Sequence, residues 1–223
     1  MKSTAYVQVM DRPQIDTIQK HVETAIDELI GALPDPERLS AVEGHQVIAR
    51  YAAVLEGNFI YWMTAALLSV KSEEARDKIV ENLREEVRDC HPSMLRRFVI
   101  AARAVPTDTD ALSIYPEISN VRLFLGRLQA VPILVTMAFF EGYIQRFMGY
   151  LASLAQRQGS SEMEYTDVHG VCDVTHTQEL FNALNVEMTL DPPAPSMNIY
   201  EGVDLLSTLL SRIVEPALSR EAL

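Results

Sequence analysis

Apolar residues recur along this chain at spacings of three and four, and no run alternates convincingly at period two, so the pattern predicts helices and no strands. The periodic segments cover roughly 14–32, 41–70, 72–89, 92–104, 119–157, 162–189 and 199–214. Breakers fall between them: Pro34 and Pro36, Pro106, Pro116, Gly159, and the Pro192-Pro193-Ala194-Pro195 cluster. Pro132 stands inside the fifth segment, where it either kinks the helix or marks its true start. There is no internal repeat, no low-complexity tract and no linker long enough to divide the chain. The expectation is a single all-α domain over residues 1–223, a bundle of about seven helices.

Composition narrows the setting. A chain of 223 residues can enclose one full hydrophobic core, and 48% apolar with 22% charged residues is an ordinary globular balance. A net charge of −12 argues against nucleic acid and against anionic membrane surfaces, both of which would repel it. The most apolar stretch, Ala130 to Phe140, is followed by Glu141 and Arg146 and is too short to span a bilayer. The opening Met1-Lys2-Ser3-Thr4-Ala5-Tyr6 lacks the apolar region of a secretory signal. Two cysteines, Cys90 and Cys172, are too few for a disulfide framework and suit a reducing compartment. The expected location is the cytoplasm and the expected partner a small-molecule substrate, with a homodimer left open.

Three regions carry candidate chemistry. In the segment from Tyr165 to His176, the spacing of His169, Asp173 and His176 places three side chains within an arc of ~60° on a helix. Two imidazoles and a carboxylate on one face form the ligand set of a redox-active iron site. The alternative is a polar face with two ordinary surface histidines. Against it stands a run of weak helix formers, including Gly170, which alone costs roughly 1 kcal/mol relative to Ala. Glu141 sits in a stretch otherwise fit for a core, where a carboxylate needs a cation, a metal or a proton; the alternative is an outward-facing position. Arg146, five residues on, is a poor helical partner for it.

The third region runs from Glu81 to Pro92. His91 precedes Pro92 and is expected to cap the next helix, with Pro92 at its first position. On one straight helix Glu85 and Glu86 would be turned from His91 by ~140° and ~240°, so convergence requires a break there. The alternative is a solvated charge run beside a capping histidine. Together Glu86, His91, Glu141, His169, Asp173 and His176 are enough to hold two irons with positions open for dioxygen. A ferritin-like bundle would show two Glu-x-x-His pairs, and the chain has none. His21 and His45 look like surface or core residues.

On these residues the chain resembles the haem-oxygenase-like diiron oxidases and oxygenases, over roughly residues 45–185. His169, Asp173 and His176 match that family's His-x-x-x-Asp-x-x-His helix, and Glu141 matches the lone Glu of its middle core helix. Asn82, Leu83, Glu86, His91, Pro92, Leu95, Arg97 and Phe98 resemble its first core helix, with a short Glu-to-His gap and with Glu85 competing with Glu86. The resemblance implies a haem-oxygenase-like fold and an Fe(II)- and dioxygen-dependent enzyme with two Fe(II) ions. Its substrate would be a small carboxylate-bearing metabolite, an amino acid or a fatty acid, in a biosynthetic pathway.

Phe139, Phe140, Tyr165, Trp62 and Phe59 are candidate pocket walls or plain core. Arg96, Arg97 and Arg146 are candidate carboxylate receptors or surface residues. Competing readings are a metal-free enzyme similar to thiaminase II or a quinone-cofactor synthase, a haem oxygenase proper, and a helical binding protein.

Overall fold

Some of the helix starts in this protein are fixed by short-range hydrogen bonds from a capping side chain. The Ser40 hydroxyl accepts from the Glu43 backbone N–H at 3.2 Å while the Glu43 carboxylate accepts from the Ser40 N–H at 2.8 Å, a reciprocal cap that starts a helix at Ala41. Thr107 and Asp110 do the same ahead of Asp108. In the computed structural model, which describes residues 12–215, the order is α1 (Arg12–Gly31), a 3-10 turn (Pro36–Arg38), α2 (Ala41–Leu55), α3 (Phe59–Ser69), α4 (Glu73–Arg88), α5 (His91–Ala101), α6 (Asp108–Leu125), α7 (Ala130–Arg157), α8 (Glu164–Leu190) and α9 (Glu201–Val214). No strand occurs among the described residues. The all-α expectation holds; the flanking stretches of the expected 1–223 domain lie outside the described residues.

Two expected helices are each a pair. The segment 41–70 divides at Gly57, whose φ of 77° lies in the left-handed region that glycine enters without steric cost. Unbroken apolar spacing on both sides of Gly57 hides this turn from the sequence. The segment 119–157 divides before Ala130, and Pro132 falls in the first turn of α7, where its missing N–H has no carbonyl to lose. Pro116 is not a breaker: it lies inside α6, on the exposed face, and the Leu112 carbonyl that loses its donor belongs to a residue 70% exposed, so water can satisfy it.

α7 is the central column. It packs along the full-length α8 and is surrounded by α1, α2, α3 and α9, while α4 closes the other side of α8. The turn that sets α8 beside α7 is built on Gly159 (φ 84°), with the Gly159 N–H donating to the Gln156 carbonyl at 2.8 Å and the Ser160 N–H to the Ala155 carbonyl at 3.0 Å. Phe98, Phe139, Phe140, Phe147 and Trp62 are fully buried, and burial of such side chains contributes roughly 1.5–3 kcal/mol each.

Buried charges outside the central cluster are paired with backbone. Arg50 donates to the carbonyls of Ile213 (2.9 Å) and Glu215 (2.6 Å) at the end of α9. Glu187 accepts from the N–H groups of Lys71 (3.0 Å) and Ser72 (2.7 Å) at the start of α4.

Two glycines should respond oppositely to alanine. A Cβ on Gly202 would lie 2.0 Å from Thr136 Oγ1 and 2.5 Å from Phe124, so Gly202→Ala should destabilise by about 1–3 kcal/mol or more in urea unfolding. Gly149 is exposed within α7 with nothing near its missing Cβ, so Gly149→Ala should stabilise by roughly 0.5–1 kcal/mol.

Candidate metal centre

The junction of α4 and α5 creates the first half of the site. Cys90 adopts φ 60° and ψ 36°, a left-handed conformation that is costly for a residue with a Cβ. This turn folds the start of α5 back over the end of α4 and brings His91 Nδ1 to 2.8 Å from Glu86 Oε1. The break that convergence requires is therefore present, one residue earlier than Pro92 suggests. Cys90, not His91, occupies the cap position; His91 is the first residue of α5, Pro92 the second, and the histidine is 4% exposed.

The second half comes from α7 and α8. His169, Asp173 and His176 all point inward from α8, at 6%, 1% and 2% exposure. Glu141, 2% exposed, projects from α7 and accepts a hydrogen bond from Asn82 Nδ2 of α4 at 3.1 Å. His176 Nδ1 lies 3.9 Å from Glu141 Oε1 and 3.8 Å from Asp173 Oδ1. The His91 and His169 rings meet edge to face with centroids 4.5 Å apart, and donor atoms of Glu86, His91 and His169 lie within 4.8 Å of one another. All six residues singled out in the sequence thus converge. Glu85 also reaches the cluster, its Oε2 2.8 Å from His176 Nε2, but from the edge: its side chain is 35% exposed, while Glu86 is buried at 4%.

Burial dominates the electrostatics. Loss of water pushes Glu141 up to about 7, with the Glu86 charge adding to the rise and His176 and the Asn82 hydrogen bond opposing it. Burial, then the neighbouring Glu141 charge, raises Asp173 well above the usual carboxylate range. His169 is driven down to about 4 by burial, so it is neutral near pH 7. Its Nδ1 lies 2.8 Å from the Tyr165 carbonyl, which can only accept; Nδ1 therefore carries the hydrogen and Nε2 keeps its lone pair free. For His91 burial opposes protonation, but the hydrogen bond and charge of Glu86, with Asp89 and Glu141, raise it overall.

Two buried donor atoms, Asp173 Oδ2 and His176 Nδ1, have no hydrogen-bond partner. Orphans at this depth are costly, and here they sit among other carboxylates and imidazoles. Free donor atoms of this kind, grouped and buried, are what a cation-binding site presents. The donor set, oxygen and imidazole nitrogen, suits iron.

A cavity of about 260 Å³ opens onto Glu86, His91, Glu141, His169 and Asp173. Its other walls are mainly apolar and include Phe59, Leu95, Val99, Phe140, Ile144 and Tyr165. Of the aromatic residues that were candidates for pocket wall or core, Phe59, Phe140 and Tyr165 line this cavity. Phe139 does not line this cavity; it is fully buried in the core, as is Trp62, which packs edge-on against Phe140. Arg97 is turned away and pairs with Glu164 on the surface, and Arg146 pairs with Asp27. Arg96 lines the cavity instead, 2.9 Å from Glu56. Two contacts had no signal in the sequence: Asn82 with Glu141, and the Tyr51 hydroxyl 2.7 Å from that of Tyr165, whose ring packs 4.3 Å from the His169 ring.

The model of the iron-containing redox enzymes, a haem-oxygenase-like family, matches residues 46–209. The chain belongs to this family. No curated protein and no solved structure matches the chain. The matched span runs from α2 into α9 and contains every donor described above. Membership in this family makes the chain an iron-dependent oxidoreductase on a haem-oxygenase-like fold. No helix among the described residues is long and apolar enough to cross a membrane.

The perturbed groups predict a pH dependence with a definite sign. Above pH 6.5 an unfolded chain has ionised carboxylates and neutral imidazoles. The folded, metal-free protein still holds protons on Glu141 up to about 7, on Asp173 beyond its usual range, and on the raised His91. The folded state then binds more protons, so its stability should fall as pH rises from 6.5 through these folded values. His169 is neutral in both states there and contributes nothing. Thermal unfolding of chelator-treated protein should show Tm decreasing across this window, and ferrous iron should flatten the slope.

Proposed function

We propose that the protein is a non-haem diiron enzyme that uses dioxygen to oxidise or oxygenate a small carboxylate-bearing molecule, an amino acid or a fatty acid. The observation that carries this reading is the convergence of three imidazoles and three carboxylates from α4, α5, α7 and α8 on an apolar cavity. Glu86, His91 and His169 would hold one ion, and Asp173 and His176, with Glu141 beside His176, would hold the other. Bound ferrous iron supplies the electrons for reaction with dioxygen, chemistry that none of these side chains performs alone.

The chain's own residues set the conditions. His169 is held neutral and turned by the Tyr165 carbonyl, ready to donate from Nε2. Burial shifts Glu141 and Asp173 toward their protonated forms, and a bound cation would favour their charged forms instead. Asn82 fixes one oxygen of Glu141 and so selects which face of the carboxylate is free. Leu95, Val99, Phe140 and Ile144 exclude water and favour an apolar substrate body. Arg96 is the cation on the cavity wall, and a substrate carboxylate can take the place of Glu56 on its guanidinium. A metal-free enzyme on the same scaffold would leave Asp173 Oδ2 and His176 Nδ1 buried without a partner.

Protein produced with ferrous iron should contain close to two irons per chain by elemental analysis. His176→Ala should lower that content and abolish substrate-dependent oxygen uptake; wild-type loading in this variant would remove His176 from the ligand set. Glu141→Gln keeps shape and burial but loses the negative charge, so turnover should collapse while thermal stability without metal is preserved.

Arg96→Ala should raise KM for a carboxylate substrate by roughly 10–100-fold with kcat little changed, the signature of lost ground-state binding to a charged group. An unchanged KM would exclude Arg96 as the receptor.

A further inference from the structure

Cys172 has no place in the iron site as described, yet its thiol faces that site. Its Sγ is 3.2 Å from Asp173 Oδ1, and the donor atoms of Cys172, Asp173 and His176 all lie within 4.8 Å of one another. Asp173 and His176 are 1% and 2% exposed, and their Oδ2 and Nδ1 atoms are the unpartnered ones. Cys172 and His176 are four residues apart on α8, the helical spacing that brings two side chains over one another. Donors around a tetrahedral zinc ion lie roughly 3.3–3.6 Å from each other, given the metal–sulfur, metal–nitrogen and metal–oxygen bond lengths. The observed separations of 3.2 Å (Cys172 to Asp173) and 3.8 Å (His176 to Asp173) bracket that range. Glu141 Oε1, 3.9 Å from His176 Nδ1, stands near enough to be a fourth donor.

We propose that Cys172, Asp173 and His176, completed by Glu141, form a binding site for a thiophilic divalent cation such as Zn(II), Cd(II) or Co(II). Binding forms a metal–sulfur bond and releases the Cys172 proton to solvent, with no change of oxidation state. The proposal rests on the diiron reading only in sharing Asp173, His176 and Glu141 with it. A thiolate softens this position and favours zinc over ferrous iron, a preference the general affinity order reinforces. An ion held by four protein donors also has no open position. Cys172 thereby makes the second metal position sensitive to zinc, which would occupy it and shut out iron.

The test is a titration of the full-length, chelator-stripped protein with Co(II), in a Cys90→Ser background so that the exposed Cys90 cannot contribute. The expected result is a near-ultraviolet thiolate-to-cobalt charge-transfer band that saturates at one equivalent and is displaced by Zn(II). Cys172→Ser should abolish the band and weaken Zn(II) binding by about tenfold or more, since even outer partners of a bound metal are worth 10–100-fold. The same variant, loaded from an equimolar Fe(II) and Zn(II) mixture, should retain a higher iron-to-zinc ratio than its parent.

Cobalt bound with ligand-field bands alone, and no charge-transfer band, would overturn the thiolate site while leaving the iron reading intact. A band that survives in Cys172→Ser would overturn it equally. A band lost in Cys172→Ser, from a protein that binds no iron at all, would support the thiolate site and reject the diiron reading.

Discussion

Removing water from several ionisable side chains at once is the constraint on which this structure turns. Glu86, His91, Glu141, His169, Asp173 and His176 are each 6% exposed or less, and they are drawn from four helices. Such a cluster is unfavourable unless its charges are neutralised, by protons or by a cation. The response is visible in the groups themselves: Glu141 and Asp173 shift toward their protonated forms and His169 toward its neutral one. The surrounding fold holds the cluster in place. Fully buried Phe139, Phe140 and Phe147 on α7, with the buried turns of α8, provide the packing that keeps carboxylates and imidazoles together.

The division of labour between helices follows from this. α7 and α8 supply four of the six residues and have the most extensive mutual packing in the fold. α4 and α5 supply the other two and meet them across a smaller interface. Positions on the long pair are therefore set by the core, whereas Glu86 and His91 depend on one turn of backbone. Asn82 and Tyr165 extend control outward, the one fixing Glu141 and the other fixing the tautomer of His169. The cavity beside them is apolar because the same packing that excludes water from the charges also lines the approach with Leu95, Val99 and Ile144.

Much of this was legible in the sequence, and the failures have physical causes. A spacing of four and three on one helix fixes relative direction whatever the tertiary structure, so His169, Asp173 and His176 could be read together. Glu141 was conspicuous because its neighbours are apolar. Helix boundaries were less visible: Gly57 ends α2 within continuous apolar periodicity, while Pro116 is tolerated because it faces solvent. Arg96 and Arg97 cannot be told apart by type, and a rotation of about 100° along α5 puts one on the cavity and the other against Glu164. The left-handed turn at Cys90 gave no signal, since a positive φ is written into a sequence most clearly by glycine.

That turn has a consequence for how the chain may vary in length. Between Glu86 and His91 there is a single irregular junction, and its dihedral angles decide where the histidine ring lies. One residue more or less in this short segment would change the phase of α5 against α4 by about 100° and its height by about 1.5 Å. The rotation is the larger effect, because it turns the histidine side chain away from the carboxylate it meets at 2.8 Å. The spacing from Glu86 to His91 thus behaves as a gear setting between two helices, in which an insertion is felt as rotation rather than as added loop.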